Sequence, residues 1–443
     1  MGGGTPDIMA DRSPVSAAPQ RCGRYLRTEP HGDVLVVTLD DPSGRANKTS
    51  DLFKEELDAL LTVLETQAGF AGLLFRSEKS SFGVGGDIAQ VTGHAALGLE
   101  ASFSDSERIK ALFRRLERLP VPSVALIEGT AAGGGWELAL ACNARLCLDD
   151  PAIRLGLPEV AFGLVPGAGG MARLPHMVGL EKAGALIAGA VLQTPREALA
   201  DGLLDGLAAT RDGLAAAGLA RIAAIADTRR AWDRDGHVPK DITVYHGPVG
   251  GPPGATAPGK ALTALAAIAR AAFDEASAIE SRCFAECATS REAQALIGLG
   301  FHDRNLRRRA GPGFEAALER VGRVLSPARE AEPDVVPDED GAQARGERRM
   351  LAQVAAALRL LAADDGLAAA ALNIGSVEGG GFPGRTGGVL RHVEDAGPAN
   401  IVARLAALAA RHGDAFDQPF GADGLARRLK AARHLDRTMG KPT

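Results

Sequence analysis

The sequence predicts an α/β core followed by a helical segment and a small all-α C-terminal domain. Three observations carry this. Short apolar, β-branched runs such as Val121 to Ile127 alternate with helical periodicity in the first half of the chain. A run of glycines, Gly133-Gly134-Gly135, joins that apolar run to the helical stretch WELALACNARL. Beyond residue 213 the strands give way to alanine-rich helical stretches.

In chain order, Met1 to Gln20 is rich in Gly, Pro, Ser and Ala and lacks an apolar centre. It is expected to be a disordered tail, residues 1–25, and not a signal peptide. DVLVVTL reads as a strand preceded by a turn. Asp41-Pro-Ser-Gly44 ends it, and Ser50 caps a helix over Asp51 to Glu65 with Leu52, Leu57, Leu60, Leu61 and Leu64 on one face. Phe70 to Phe75 reads as a second buried strand. Ser81-Phe-Gly-Val-Gly-Gly-Asp87-Ile88 reads as a turn into a helix, with Asp87 as its cap or as a ligand. Ser104 to Leu119 is a helix carrying Arg108, Lys110, Arg114, Arg115 and Arg118, either a solvated face or a phosphate-contacting one.

The stretch VPSVALIEGTAAGGGWELALACNARL places a strand, glycines and a helix start in succession. Glycine lets backbone approach a ligand closely, and a helix start leaves N–H groups unpaired at the positive end of its dipole. That arrangement suits an oxygen that becomes anionic during a reaction. Glu137 lies just inside the helix. Glu159, in GLPEVAFGLVPGAGG, is returned toward it by the intervening strands Ala144 to Leu148 and Ile153 to Leu155. Two carboxylates near such donors suit proton transfer beside a carbonyl.

IEGTAAGGGWELALACNARL followed by IRLGLPEVAFGLVPGAGGMARLP resembles the crotonase superfamily, the enoyl-CoA hydratases and isomerases. The resemblance implies a ββα spiral core over residues 26–212. It implies Glu137 and Glu159 as the catalytic acid/base pair, and Gly134 and Gly86 as the oxyanion-hole donors. The family more often has alanine at the place of Gly86. The implied reaction is addition of water to a 2-enoyl-CoA, giving a 3-hydroxyacyl-CoA. Coenzyme A is then part of the substrate, and no separate cofactor is expected. Δ3-to-Δ2 enoyl-CoA isomerisation needs the same donors and one carboxylate, so it stands as the alternative. A non-catalytic scaffold for a dehydrogenase or thiolase partner is the third reading.

The helical segment, residues 213–312, has a Gly/Pro interruption from His246 to Pro258. Its part from Ala261 to Arg309 resembles the helices that follow the hydratase core in the α-subunit of bacterial fatty-acid oxidation complexes. That resemblance implies Asp303 as a substrate-binding residue; a surface aspartate beside Arg304 and Arg307 is the bland reading. Residues 313–346 contain a short helix and then PAREAEPDVVPDEDGAQARGE, read as a charged, proline-bearing linker. No strand-G-x-G-x-x-G-helix unit occurs, so no dehydrogenase activity is expected. Residues 347–443 resemble the C-terminal helical domain of 3-hydroxyacyl-CoA dehydrogenases through Gly379, Gly381, Phe382, Pro383, Gly387, Gly388 and Arg391.

Composition sets the remaining bounds. The chain has 443 residues, 46 % hydrophobic and 4 % aromatic, with a net charge of −5. That charge gives no argument for nucleic acid or an acidic membrane. No apolar run is long enough for a membrane span. The five cysteines, Cys22, Cys142, Cys147, Cys283 and Cys287, are few and odd in number, as in a reducing cytoplasm. Cys283 and Cys287 share a helical face but lack further ligands, so no metal is expected. Homo-oligomerisation stays open.

Overall fold

A computed structural model describes residues 23–66, 69–237, 239, 243, 256–303, 312–330, 342–364 and 366–438. The chain divides into two compact units, Met1–Thr289 and Ser290–Thr443.

The first unit holds two sheets. Strands β1 (Leu26–His31), β2 (Val34–Leu39), β3 (Gly72–Ser77), β5 (Ser123–Ile127), β7 (Ala144–Leu148) and β10 (Gly206–Ala208) form a six-stranded sheet in the order β1-β2-β3-β5-β7-β10. Strands β4 (Gly83–Val84), β6 (Ala131–Ala132), β8 (Leu155–Gly156) and β9 (Leu192–Gln193) form a smaller one in the order β4-β6-β8-β9. Three times in succession the chain places a strand in the large sheet, then one in the small sheet: β3 then β4, β5 then β6, β7 then β8. Helices return it to the start, which gives the repeating ββα spiral.

The large sheet is parallel except for the β1–β2 hairpin, whose register pairs His31 with Val34 and Leu26 with Leu39. Its inner strands β2, β3, β5 and β7 are largely buried on both faces, as a sheet covered by helices on each side requires. Leu35, Val37, Leu73, Phe75, Ala125 and Ile127 face the main core. Their neighbours Val34, Leu74, Val124 and Leu126 face the other way, against Leu214 and Ile222 of helix α8 (Arg211–Ala224). The main core is closed by α1 (Asp51–Thr66), α3 (Leu99–Glu117), α5 (Gly170–Val178), α6 (Leu180–Ala188), α9 (Ala257–Ile268) and α10 (Phe273–Ala288).

Three expected boundaries change. Arg24, Tyr25 and Leu26 donate backbone N–H bonds to the Glu56 carboxylate, and Tyr25 is 1 % exposed. The ordered chain therefore reaches at least to Gly23, inside the expected tail; residues 1–22 lie outside the described residues. The segment 213–312 is not a separate body. Helices α8, α9 and α10 bury their apolar faces in the first unit. The expected linker contains a 19-residue helix, Pro312–Glu330 (α12). Its Phe314, Leu318, Val321 and Leu325 recur at helical spacing and lie in the second unit's core. The stretch 331–341, and most of the Gly/Pro interruption, lie outside the described residues.

The second unit is helical. After α11 (Arg291–Ile297), a π-helical turn (Gly298–Asp303) and α12 come α13 (Ala342–Ala363), α14 (Ala369–Glu378), α15 (Val389–Ala396), α16 (Pro398–His412) and α17 (Ala422–Thr438). Buried Asn373 pins the turn between α14 and α15: its Oδ1 accepts from the N–H groups of Leu390 (3.0 Å) and Arg391 (3.1 Å). Phe382, from the glycine-rich stretch, fills this unit's core. Among the described residues no helix is long and apolar enough to cross a membrane.

Candidate active site

Strand β5 delivers the chain through a tight turn into β6 and then α4 (Gly134–Ala141). Gly133 sits at the junction with φ +53°, a conformation L side chains rarely adopt. Strand β4 pairs in parallel with β6, Gly83 with Ala131 and Val84 with Ala132. Close approach then becomes decisive: a methyl group on Gly135 would lie 2.5 Å from the Gly83 backbone. Only a glycine there lets the first turn of α4 lie against β4. The Gly86 and Gly134 stretches are thereby held side by side.

Gly134 opens α4, so its N–H has no acceptor within the helix. Gly86 forms an isolated parallel bridge with Thr49, in which Thr49 N–H donates to Gly85 O at 2.9 Å. Among the described residues no backbone carbonyl accepts from the N–H of Gly86 or Gly134. Thr49 lies by both: its Oγ1 would be 2.6 Å from a methyl on Gly134 and 3.8 Å from one on Gly86. Asp87 is a cap. It accepts from Ala89 (2.9 Å) and Gln90 (3.3 Å) at the start of α2 (Ile88–Leu97), and Lys48 pairs with it at 2.5 Å.

Glu137, in the first turn of α4, is buried. Its Oε1 accepts from the N–H groups of Ala168 and Gly170, both at 2.8 Å, at the entry to α5. Glu159 begins the 3₁₀ turn Glu159–Phe162. Its Oε1 lies where a methyl on Gly133 would come within 2.7 Å, so it lies against the start of the Gly133-Gly134-Gly135 run. Its Oε2 is buried and has no hydrogen-bond partner among the described residues.

Burial pushes Glu137 up to about 7, and the nearby Glu280 carboxylate adds to that push. The Gly170 and Ala168 N–H groups and Arg173 act in the opposite sense. Glu159 is raised well above the ordinary carboxylate range by burial first, then by the charges of Glu137 and Glu280. The two carboxyls are thus close enough to feel each other but differ in support: Glu137 has donors that favour its ionised form, and Glu159 has an orphaned oxygen. That division favours Glu137 as the group that gives up its proton first and Glu159 as the one that keeps its proton longer.

Two nearby residues escaped the sequence reading. Glu280, 0 % exposed on α10, donates its negative charge to this cluster. A glutamate at an apolar helical position, in register with Ala276, Cys283 and Cys287, was its visible signal. Thr49 had none, because only the fold brings it to the glycines. Asp303 ends the π-helical turn of the second unit, and its side chain lies outside the described residues.

The basic residues of α3 are engaged within the protein. Lys110 bonds Ser277 O, Arg114 pairs with Glu117 and Asp233, Arg115 with Asp58 and Glu65, Arg108 with Asp51 and Arg118 with Asp274. Cys283 and Cys287 are buried, and neither is in a disulfide. Among the described residues no three His, Cys, Asp or Glu side chains cluster as a metal site would require.

Residues 29–233 match the family model described as enoyl-CoA hydratase/isomerase. A curated relative, the fatty acid oxidation complex subunit alpha of Idiomarina loihiensis, is 40 % identical over 173 residues, 39 % of this chain. This chain spans only 24 % of that relative's length. Among solved structures, AtuE of Pseudomonas aeruginosa is 31 % identical, covering 44 % of this chain and 74 % of its own, with a TM-score of 0.41. An enoyl-CoA hydratase from Bacillus anthracis is 28 % identical, covering 46 % and 77 %, with a TM-score of 0.42.

Proposed function

The chain belongs, through residues 29–233, to the enoyl-CoA hydratase/isomerase family of the crotonase superfamily, and from that premise we propose that it hydrates a 2-enoyl-CoA to a 3-hydroxyacyl-CoA. The observation that carries the reading is the pairing of Glu137, held by two N–H donors, with Glu159, whose second oxygen is buried without a partner.

In this reading the thioester oxygen sits on the N–H groups of Gly86 and Gly134. Glu137 takes a proton from water as the water oxygen bonds to C3. The π pair of the C2–C3 double bond shifts to C1–C2 and the carbonyl π pair moves onto the thioester oxygen, where the two N–H groups stabilise the growing charge. Glu159 then delivers its proton to C2. Proton exchange between the two carboxyls and solvent resets the site.

The pH dependence follows. Glu137 must be ionised to act, so kcat/KM is expected to rise with pH through about 7. Glu159 must be protonated to act, so the rate is expected to fall at higher pH as its raised carboxyl ionises. A pH–rate profile measures both limbs; a flat profile across neutrality would contradict the assignment of these two groups.

Supplying a 3-enoyl-CoA separates the alternative. Efficient conversion to the conjugated isomer, with no hydration of 2-enoyl-CoA, would make the protein an isomerase. The lack of a dinucleotide-binding fingerprint in the sequence leads to a further expected result: no NADH forms from 3-hydroxyacyl-CoA and NAD. Absorbance of the reduced nucleotide reads this directly. The curated relative is by name one subunit of a complex, which supports reading the second helical unit as an assembly surface for a dehydrogenase or thiolase. Co-purification with such a partner tests that.

A further inference from the structure

Four N–H groups at the entry to α5 are shared between two buried carboxylates. Ala168 and Gly170 donate to Glu137 Oε1, both at 2.8 Å. Gly169 donates to Glu280 Oε1 at 2.5 Å and Ala172 to Glu280 Oε2 at 2.9 Å. The two sets interleave along one short stretch, so neither carboxylate can move without dragging the other's donors. Glu280 lies on α10, beyond the family-matching residues, and is wholly buried.

An ordinary capping carboxylate at a helix start is solvated. Glu280 is not, and its ionised form is disfavoured by burial. Lys110 from α3 and Arg173 from α5 act on it with opposite charge, and Glu137 from α4 is near enough to feel its charge. Lys110 also pairs with Glu107, and Arg173 with Glu117. Retaining a charge in such a place is costly unless it holds something specific.

We propose that Glu280 is a positioning residue for the hydration reaction: by holding the Gly169 and Ala172 N–H groups it sets the direction of the Ala168 and Gly170 N–H groups that carry Glu137. This rests on Glu137 being the base. Its charge has a second consequence. A negative neighbour opposes ionisation of Glu137 and makes it the stronger base.

The test uses the full chain with Glu280→Gln and Glu280→Asp. Glutamine has one acceptor oxygen and an amide that only donates, so one of the two N–H groups loses its acceptor. A displacement of the loop on the scale of 1 Å is worth about 10²-fold in rate. Glu280→Gln is therefore expected to lower kcat by about that factor with KM nearly unchanged. The acidic limb of the pH profile should move to lower pH, since the like charge is gone. Glu280→Asp keeps the charge and should hold the limb at its wild-type position while recovering part of the rate.

A second readout is independent of turnover. The Glu137 carboxyl band, identified as the one lost in Glu137→Gln, can be titrated by difference infrared spectroscopy. It should titrate at lower pH in folded Glu280→Gln than in wild type. Wild-type kcat in Glu280→Gln, or an unmoved band in that folded variant, would overturn the proposal. A shifted band in a protein that hydrates no enoyl-CoA would instead uphold the coupling of Glu280 to Glu137 and refute the hydratase reading.

Discussion

Glu137→Gln and Glu159→Gln are each expected to lower the hydration rate by about 10²–10⁴-fold, the range a positioned acid or base contributes. Glutamine at 137 keeps an oxygen that can accept the Ala168 and Gly170 N–H groups, so the loop stays in place and only the basicity is lost. At 159 the amide cannot supply an acidic proton to C2. The two losses should not multiply, because both groups serve one step. Stability separates the chemistry from a folding defect. A carboxyl whose folded pKa is raised contributes most below its unfolded pKa, and loses that contribution as pH rises through the folded value. For Glu137 this window ends near 7. The Gln variant, free of that penalty, should be no less stable than wild type above neutral pH. Thermal melts beside steady-state rates check both statements. A variant with a normal melt and a normal rate would remove Glu137 from the mechanism.

The second large effect concerns stability. Glu117, at the end of α3, is fully buried among three guanidinium groups. It accepts from Arg173 Nε at 2.7 Å, pairs with Arg114, and lies 4.0 Å from Arg230 Nε. Burial alone would raise its pKa; Arg173, Arg230 and Arg114 more than offset this and hold it below the usual range. Arg230 in turn reaches Cys142 O (2.5 Å) and Leu140 O (2.9 Å) at the far end of α4, and Arg173 belongs to α5. The pair therefore ties together the two helices that carry and support Glu137. Glu117→Leu leaves cations in the core without their counter-ion. Breaking a buried pair by removing one partner costs about 3–5 kcal/mol, and denaturant unfolding of the first unit should show a fall of that order. Because the folded pKa is depressed, the wild-type advantage is present at neutral pH and is lost as pH falls through that depressed value. An unchanged midpoint for Glu117→Leu at neutral pH would show that the network is not what holds these helices.

Much of the core was legible in residues. The strand–glycine–helix succession around Gly133 appears as read, and so do the helix from Asp51 and the strand Ala144–Leu148. These elements are strongly periodic or punctuated by glycine. What escaped lacked such local marks. Strand β1 carries Pro30 and has no alternating pattern, which an edge strand paired on one side tolerates. Residues 313–346 show a short helix before a charged stretch, but not that the helix runs on to Glu330 or that its apolar face at Phe314, Leu318 and Val321 belongs to the second core. At the site, motif residues were visible because their spacing is fixed by turns. Thr49 was not, since only tertiary contact brings it to Gly134; Glu280 showed only as a glutamate at an apolar helical position, with nothing local to place it at the entry of α5.

The most direct test is a single comparison in ¹⁸O-labelled water. Wild-type protein and the two glutamine variants are each given 2-enoyl-CoA thioesters of increasing acyl length, and product oxygen is read by mass spectrometry. The account predicts label at C3 of a 3-hydroxyacyl-CoA with wild-type protein, and its loss by about 10²-fold or more in both variants. No labelled product from wild type at any length, or undiminished labelling without either carboxylate, would contradict it.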